Sequence, residues 1–181
     1  MPTQVAHTSP LQHEILSLLH QERHEEARQA CQALRAAHPQ TPPPWLAVLE
    51  AMALLHLGQA EPAASLCRQA LATSPLDADL HHALALSLAA TGDVASALSS
   101  DRQAAWLDAD FALPQMHQAL LQRGLGHVDA SRQAAELALR LLPHESAERI
   151  QLFGNGFGRT ALLHSCQTLL APPMASEGGP R

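Results

Sequence analysis

Histidine is the residue with most chemistry to offer in this chain, which carries twelve of them beside three cysteines. A transition metal needs imidazoles, thiolates or carboxylates at spacings that bring them to one face of an element. His20 and His24 stand four apart, but Gln21–Arg23 between them reads as a turn, so they need not share a helix face. His81 and His82 are adjacent and diverge on a helix. His56, His117, His127, His144 and His164 are scattered, without paired Cys or Glu ligands. These are expected to be solvated or interface histidines, and no metal site is assigned. Cys31, Cys67 and Cys166 lack CxxC spacing, and an odd count cannot form a complete disulfide set. They read as small buried thiols of a reduced compartment. Cys166 and His164 are two apart on a helix and cannot face each other. GNGFG at 154–158 precedes a helix and superficially suits an anion. It lacks a GK(S/T) ending and follows no buried strand, so it is expected to be a hinge. No serine lies in a nucleophile elbow. The reading is non-enzymatic, with no catalytic residue and no cofactor.

What could position a binding surface is a repeat. Gly58, Ala63, Ala70 and Pro75 are followed by Gly92, Ala97 and Ala104, then by Gly126, Ser131, Ala138 and Pro143. Ala63, Ala97 and Ser131 are separated by 34-residue steps. Thirty-four residues is the tetratricopeptide (TPR) period, two antiparallel helices per unit. Composition agrees: 46% of residues are hydrophobic, 3% aromatic, and there is no tyrosine. Such a core is Ala/Leu helix-on-helix packing. The small residues let helices approach within distances that a large side chain forbids. The fold expected is an all-α TPR solenoid of about four helix pairs plus a C-terminal capping helix.

Residues 1–10 read as a flexible lead-in, with Pro10 suited to a first helical turn. The array runs over 11–143, with units near 8–41, 44–77, 78–111 and 112–145. The first is degenerate: Glu22 stands in the turn-glycine position, and the step from Ala27 to Ala63 is 36. The extra residues fall in the TPPP of 41–44, a rigid connector. In the second unit the second helix is expected after Glu61–Pro62, and Asp77 or Asp79 should cap the third unit. A capping segment follows over 144–170, with modest helical character in HESAERIQ and a helix over Thr160–Leu170. Residues 171–181 should be disordered. A net charge of −6 argues against nucleic acid or an anionic membrane as main partner. No signal peptide or apolar stretch of ~20 residues is visible, so a soluble, cytoplasmic protein is expected.

RQAAWLDADFALPQMHQALLQRGLGHVDASRQAAELALRLLP resembles the C-terminal TPR region of CheR-type chemotaxis receptor methyltransferases. That family has an RxALYLDPDF-like junction, a helix with a central His, a glycine turn and a helix ending in Leu-Leu. The matching residues are Ala104, Trp106, Leu107, Asp108, Asp110, Phe111, His117, Gly126, Ala138, Leu141 and Leu142. LFGNGFGRTALLHSC is similar to a segment that follows the repeats in some of these proteins. The likeness covers roughly 12–170 and is strongest over 101–166. Ala109, Ser131 and Gln118 depart from the usual Pro, Ala and apolar residue. No strand-alternating, Gly-rich unit for S-adenosylmethionine occurs. The resemblance therefore implies a docking or regulatory module of a bacterial chemosensory-type pathway, acting on a receptor methyltransferase or its receptor. A general assembly or secretion adaptor, or a detached C-terminal part of such a methyltransferase, are the alternatives.

In stacked TPR units the first helix of each pair lines a concave groove. Here that face collects Leu16, Leu19 and His20, then Trp45, Val48, Met52, Leu55 and His56. His82 and Leu86 follow, then Leu113, Met116, Leu120 and Arg123. The surface is largely apolar, with methionines to adapt and Trp45, Met52, His82 and Met116 as anchors. TPR modules that hold acidic tails place Lys and Asn here, so carboxylate capture is not expected. The groove has three possible occupants: a partner's helix or extended segment, the chain's own Thr160–Leu170 helix, or a second copy.

Overall fold

The computed structural model describes residues 9–39 and 42–170, and among them the secondary structure is ten α-helices. They pair in sequence order: α1 (Pro10–His20) with α2 (His24–Ala37), α3 (Pro44–His56) with α4 (Ala60–Leu71), α5 (Ala78–Thr91) with α6 (Val94–Leu107), and α7 (Ala112–Gly124) with α8 (Val128–Leu141). Two more helices follow, α9 (Ala147–Phe153) and α10 (Arg159–Leu170). The architecture is the all-helical solenoid that the 34-residue period implies. Ser9 and Pro10 are the described part of the expected lead-in, and Pro10 is already helical. The remaining lead-in, Thr41 of the TPPP connector and the 171–181 tail lie outside the described residues.

The same local device closes each pair. An amide donates to the carbonyl five residues back in Arg23→Leu18, Gln59→Leu54, Asp93→Leu88 and His127→Gln122, at 2.8–3.0 Å. This helix end requires a residue with positive φ, which glycine supplies without penalty. Gly92 takes φ +90°, and Glu22 takes φ +58° in the first pair. A side chain there costs roughly 1–2 kcal/mol, which helps explain why the terminal unit is irregular. Asp77, not Asp79, caps α5 by accepting from Leu80 N at 2.9 Å. α4 begins at Ala60, ahead of Pro62, because first-turn N–H groups have no intrahelical acceptor for proline to forfeit.

Ala27, Ala63, Ala97 and Ser131 occupy corresponding positions of the second helices and have no exposed surface. Ser131 departs from alanine at a specific gain: its hydroxyl donates to Ala119 O at 2.8 Å, joining α8 to α7. Ala109 departs from proline, and Asp108 supplies the helix stop by accepting from Asp110 N at 3.1 Å. The main core runs from α3 to α10, with a second cluster around Ile15, Ala27, Cys31, Leu46 and Leu49. Arg35 of α2 donates to the buried Glu50 of α3. No helix among the described residues is long and apolar enough to cross a membrane.

Candidate functional site

Most of the first-helix residues assigned to a groove do meet. Met52, Leu55, His56, His82, Leu86, Leu113, Met116 and Leu120 line one cavity of about 560 Å³. Ala90 and His117 join them, and the wall is completed by Phe153, Gly154, Asn155, Phe157, Leu162 and Ser165. Leu16, Trp45 and Val48 instead line a separate cavity of about 70 Å³ with Asp79 and Leu152. Leu19 packs against both larger core clusters. His20 is exposed and Arg123 half-buried, and neither lines these two cavities.

The two cavities are separate because α9 lies in the concave face, touching α1, α3 and α7. Its Ile150 and Phe153 are buried in the main core, and Leu152 packs against both larger clusters. The segment in the groove is thus α9 and the loop after it. Helix α10, the candidate filler, packs mainly on α8 and α7 and extends the stack. Its Leu162 reaches the cavity wall, while Leu169 and Leu170 cover Ala119, Ala134 and Ala135.

Gly154 is required by this close approach, since a Cβ there would meet Ile150 O at 2.3 Å and Phe157 O at 2.7 Å. The GNGFG loop turns on Asn155 and Gly156 at positive φ. Phe153 presents its ring to His82, with centroids 4.8 Å apart, and to Phe111 at 5.8 Å.

Arg149 anchors α9. Its Nε donates to Asp79 at 2.9 Å and its Nη1 to Asp108 at 2.7 Å, while the guanidinium lies 3.8 Å from the Phe111 ring centroid. Burial works against its charge, but Asp79, Asp108 and Glu145 more than offset this and raise its pKa. Asp79 is held above the usual carboxylate range by burial, despite the pull of Arg149. Glu145 is buried and accepts from Ala112 N at 2.7 Å, a carboxylate at the positive end of α7. Arg159 donates to the carbonyls of Leu142 and Glu145 and so ties α10 to the same corner.

At the base of the groove is a cluster that sequence spacing did not bring together. Asp101 of α6, with no exposed surface, takes one imidazole on each oxygen: His82 Nδ1 at 2.7 Å and His117 Nδ1 at 2.6 Å. His82 is 1% exposed and His117 14%. Burial lowers the pKa of His82, against the opposing influence of Asp101. His56 is lowered too, by burial and then by His24, whose ring stacks on it at 4.4 Å. Asp101 was open to detection. It falls at i, i+4, i+7 with Ala97 and Ala104, a charge inside a buried stripe.

Stacked helix pairs with left-handed turn residues and small residues at their contacts define a TPR-type helical solenoid. No family model and no curated protein matches the chain. Among solved structures it is similar to a thermophilic TPR protein of Thermus thermophilus, at 19% identity over 87% of each chain and a TM-score of 0.67. It is also similar to MamA of Desulfovibrio magneticus RS-1, at 17% identity over 76% of this chain and 77% of that one, TM-score 0.59. A third likeness is to the Naa15/Naa10 complex bound to HypK-THB, at 15% identity over 92% of this chain and 26% of that one, TM-score 0.61. At these identities the likeness establishes the fold.

Proposed function

We propose that the chain is a non-catalytic protein-interaction module whose concave face holds an apolar helix or extended segment of a partner. The observation that carries this reading is the cavity of about 560 Å³, walled by Met52, Leu86, Leu113 and Met116 and edged by Leu120 at 46% exposure. Thioether side chains adapt to varied apolar surfaces, and a groove of this kind suits an amphipathic segment. One of the solved structures of similar fold is of Naa15/Naa10 bound to HypK-THB, and that bound state is the precedent we take for partner binding. The resemblance over 101–166 supports a chemoreceptor or receptor methyltransferase as the partner, in a bacterial chemosensory-type pathway. The partner uses the part of the groove that α9 leaves open.

The test is biolayer interferometry of the full chain against a purified chemoreceptor cytoplasmic fragment and a receptor methyltransferase catalytic domain. Leu86→Arg and Leu120→Arg, at partly exposed positions, should each weaken binding by at least about tenfold while leaving the helical spectrum unchanged. Equal binding by wild type and both variants would remove the groove from the reading. Binding of neither protein by the wild type would remove the chemosensory assignment. Methylation of a receptor by the isolated chain would overturn the non-catalytic reading.

A further inference from the structure

We infer that His82, Asp101 and His117 form a site for one divalent transition-metal ion at the base of the groove. The three residues come from successive helices α5, α6 and α7, and one ligand atom from each lies within 4.8 Å of the others. Two imidazole nitrogens and one carboxylate oxygen are a donor set suited to zinc and its first-row neighbours. Water from the adjoining cavity, which both imidazoles line, would complete the coordination shell. This inference does not depend on which protein occupies the groove.

Charge balance points the same way. A carboxylate taken fully out of water needs a compensating positive charge. Asp101 has no exposed surface, and its side-chain partners among the described residues are the two imidazoles, not Lys or Arg. Neutral imidazoles satisfy the hydrogen bonds of the carboxylate and supply no net charge. A divalent cation supplies the charge and uses the neutral rings. The proton balance closes with a tautomer exchange. Each neutral ring gives up to solvent the Nδ1–H it donates to Asp101, takes one proton from solvent on Nε2, and bonds the metal through the freed Nδ1. Ligand atoms around a tetrahedral zinc stand about 3.4 Å apart. Binding therefore lengthens the 2.6–2.7 Å contacts between the ring nitrogens and Asp101 by side-chain rotation, making room for the ion between them.

The test uses chelator-stripped full-length protein titrated with Co²⁺ and followed by its visible ligand-field absorption, with Zn²⁺ as competitor. Wild type should take up one equivalent with saturable absorption that Zn²⁺ displaces. His117→Gln should lower the affinity by at least about 100-fold, whereas the His24→Gln/His56→Gln pair should retain it. Because a substitution in the cluster can disturb folding, ¹⁵N shifts of the imidazoles are also read in wild-type protein with and without Zn²⁺. His82 and His117 ring nitrogens should move, and those of His24 and His56 should not. No saturable one-equivalent signal, unmoved His82 and His117 nitrogens, or wild-type titration by a folded His117→Gln would each overturn the site. The cluster would then be a proton-sharing hydrogen-bond core.

Discussion

Replacing Arg149 by methionine should release α9 from the groove without unfolding the solenoid. Methionine keeps much of the stem's apolar contact and removes both hydrogen bonds and the stacking on Phe111. A buried hydrogen bond to a charged group contributes about 1.5–3 kcal/mol, and an exposed ion pair about 0–1. Here the guanidinium side chain is 24% exposed, Asp79 38% and Asp108 34%, so each bond is discounted to about 1 kcal/mol. The cation–π contact adds about 0.5–1 kcal/mol. The total is about 2–3 kcal/mol, with Asp79, Asp108 and Glu145 left facing one another without their cation. Because α9 spans seven residues, that energy is concentrated on a local opening. Amide exchange at Ile150, which bonds Ser146 O, and at Gly154, which bonds Ile150 O, should accelerate about 30- to 140-fold. Amides in the middle of α5 should be unchanged. Arg149→Lys should fall between, since an ammonium keeps the charge but not the two-pronged geometry. Exchange at Ile150 and Gly154 within about threefold of wild type in Arg149→Met would refute the anchoring account.

Two further outcomes follow from the buried groups. The folded-state pKa values of His82 and His56 lie below the unfolded value of about 6.5, so the unfolded chain binds more protons on acidification. Their contribution is complete above about pH 6.5 and declines below it, so metal-free protein should resist urea better at pH 7.5 than at pH 5.5. The reverse order would mean that Asp101 outweighs burial at His82. Burial pushes the Cys31 and Cys67 thiols up to about 12 and Cys166 to about 11, which leaves little thiolate at pH 8. Alkylation mapped by mass spectrometry should mark Cys166 first, because α10 lies at the end of the stack and opens more readily. Simultaneous labelling of all three would instead indicate global opening.

The fold was readable because its determinants are local and repeated. A glycine at one position and an alanine five residues later recur often enough for the period to emerge despite Glu22 and Ser131. The helical character of HESAERIQ was visible, but the return of α9 into the groove was not, for a physical reason. Seven residues make about two turns, too few for an apolar period to stand out. What holds α9 in place is Arg149 meeting Asp79, seventy positions earlier, and Asp108, forty-one earlier. Neither distance leaves a mark on spacing.

The histidines illustrate the complementary case. His82 and His117 look scattered along the chain, yet stacking puts α5 beside α6 and α6 beside α7, so Asp101 bridges them. The buried-stripe position of Asp101 could have shown that a carboxylate points inward. It could not have shown which side chains on the flanking helices would answer it. The same limit applies to Asp108. As a helix stop it is visible in the junction AAWLDADF, whereas its bond to Arg149 exists only once α9 has returned across the concave face. A repeat therefore discloses its own frame from sequence, while the contacts between that frame and a non-repeating segment must be found in three dimensions.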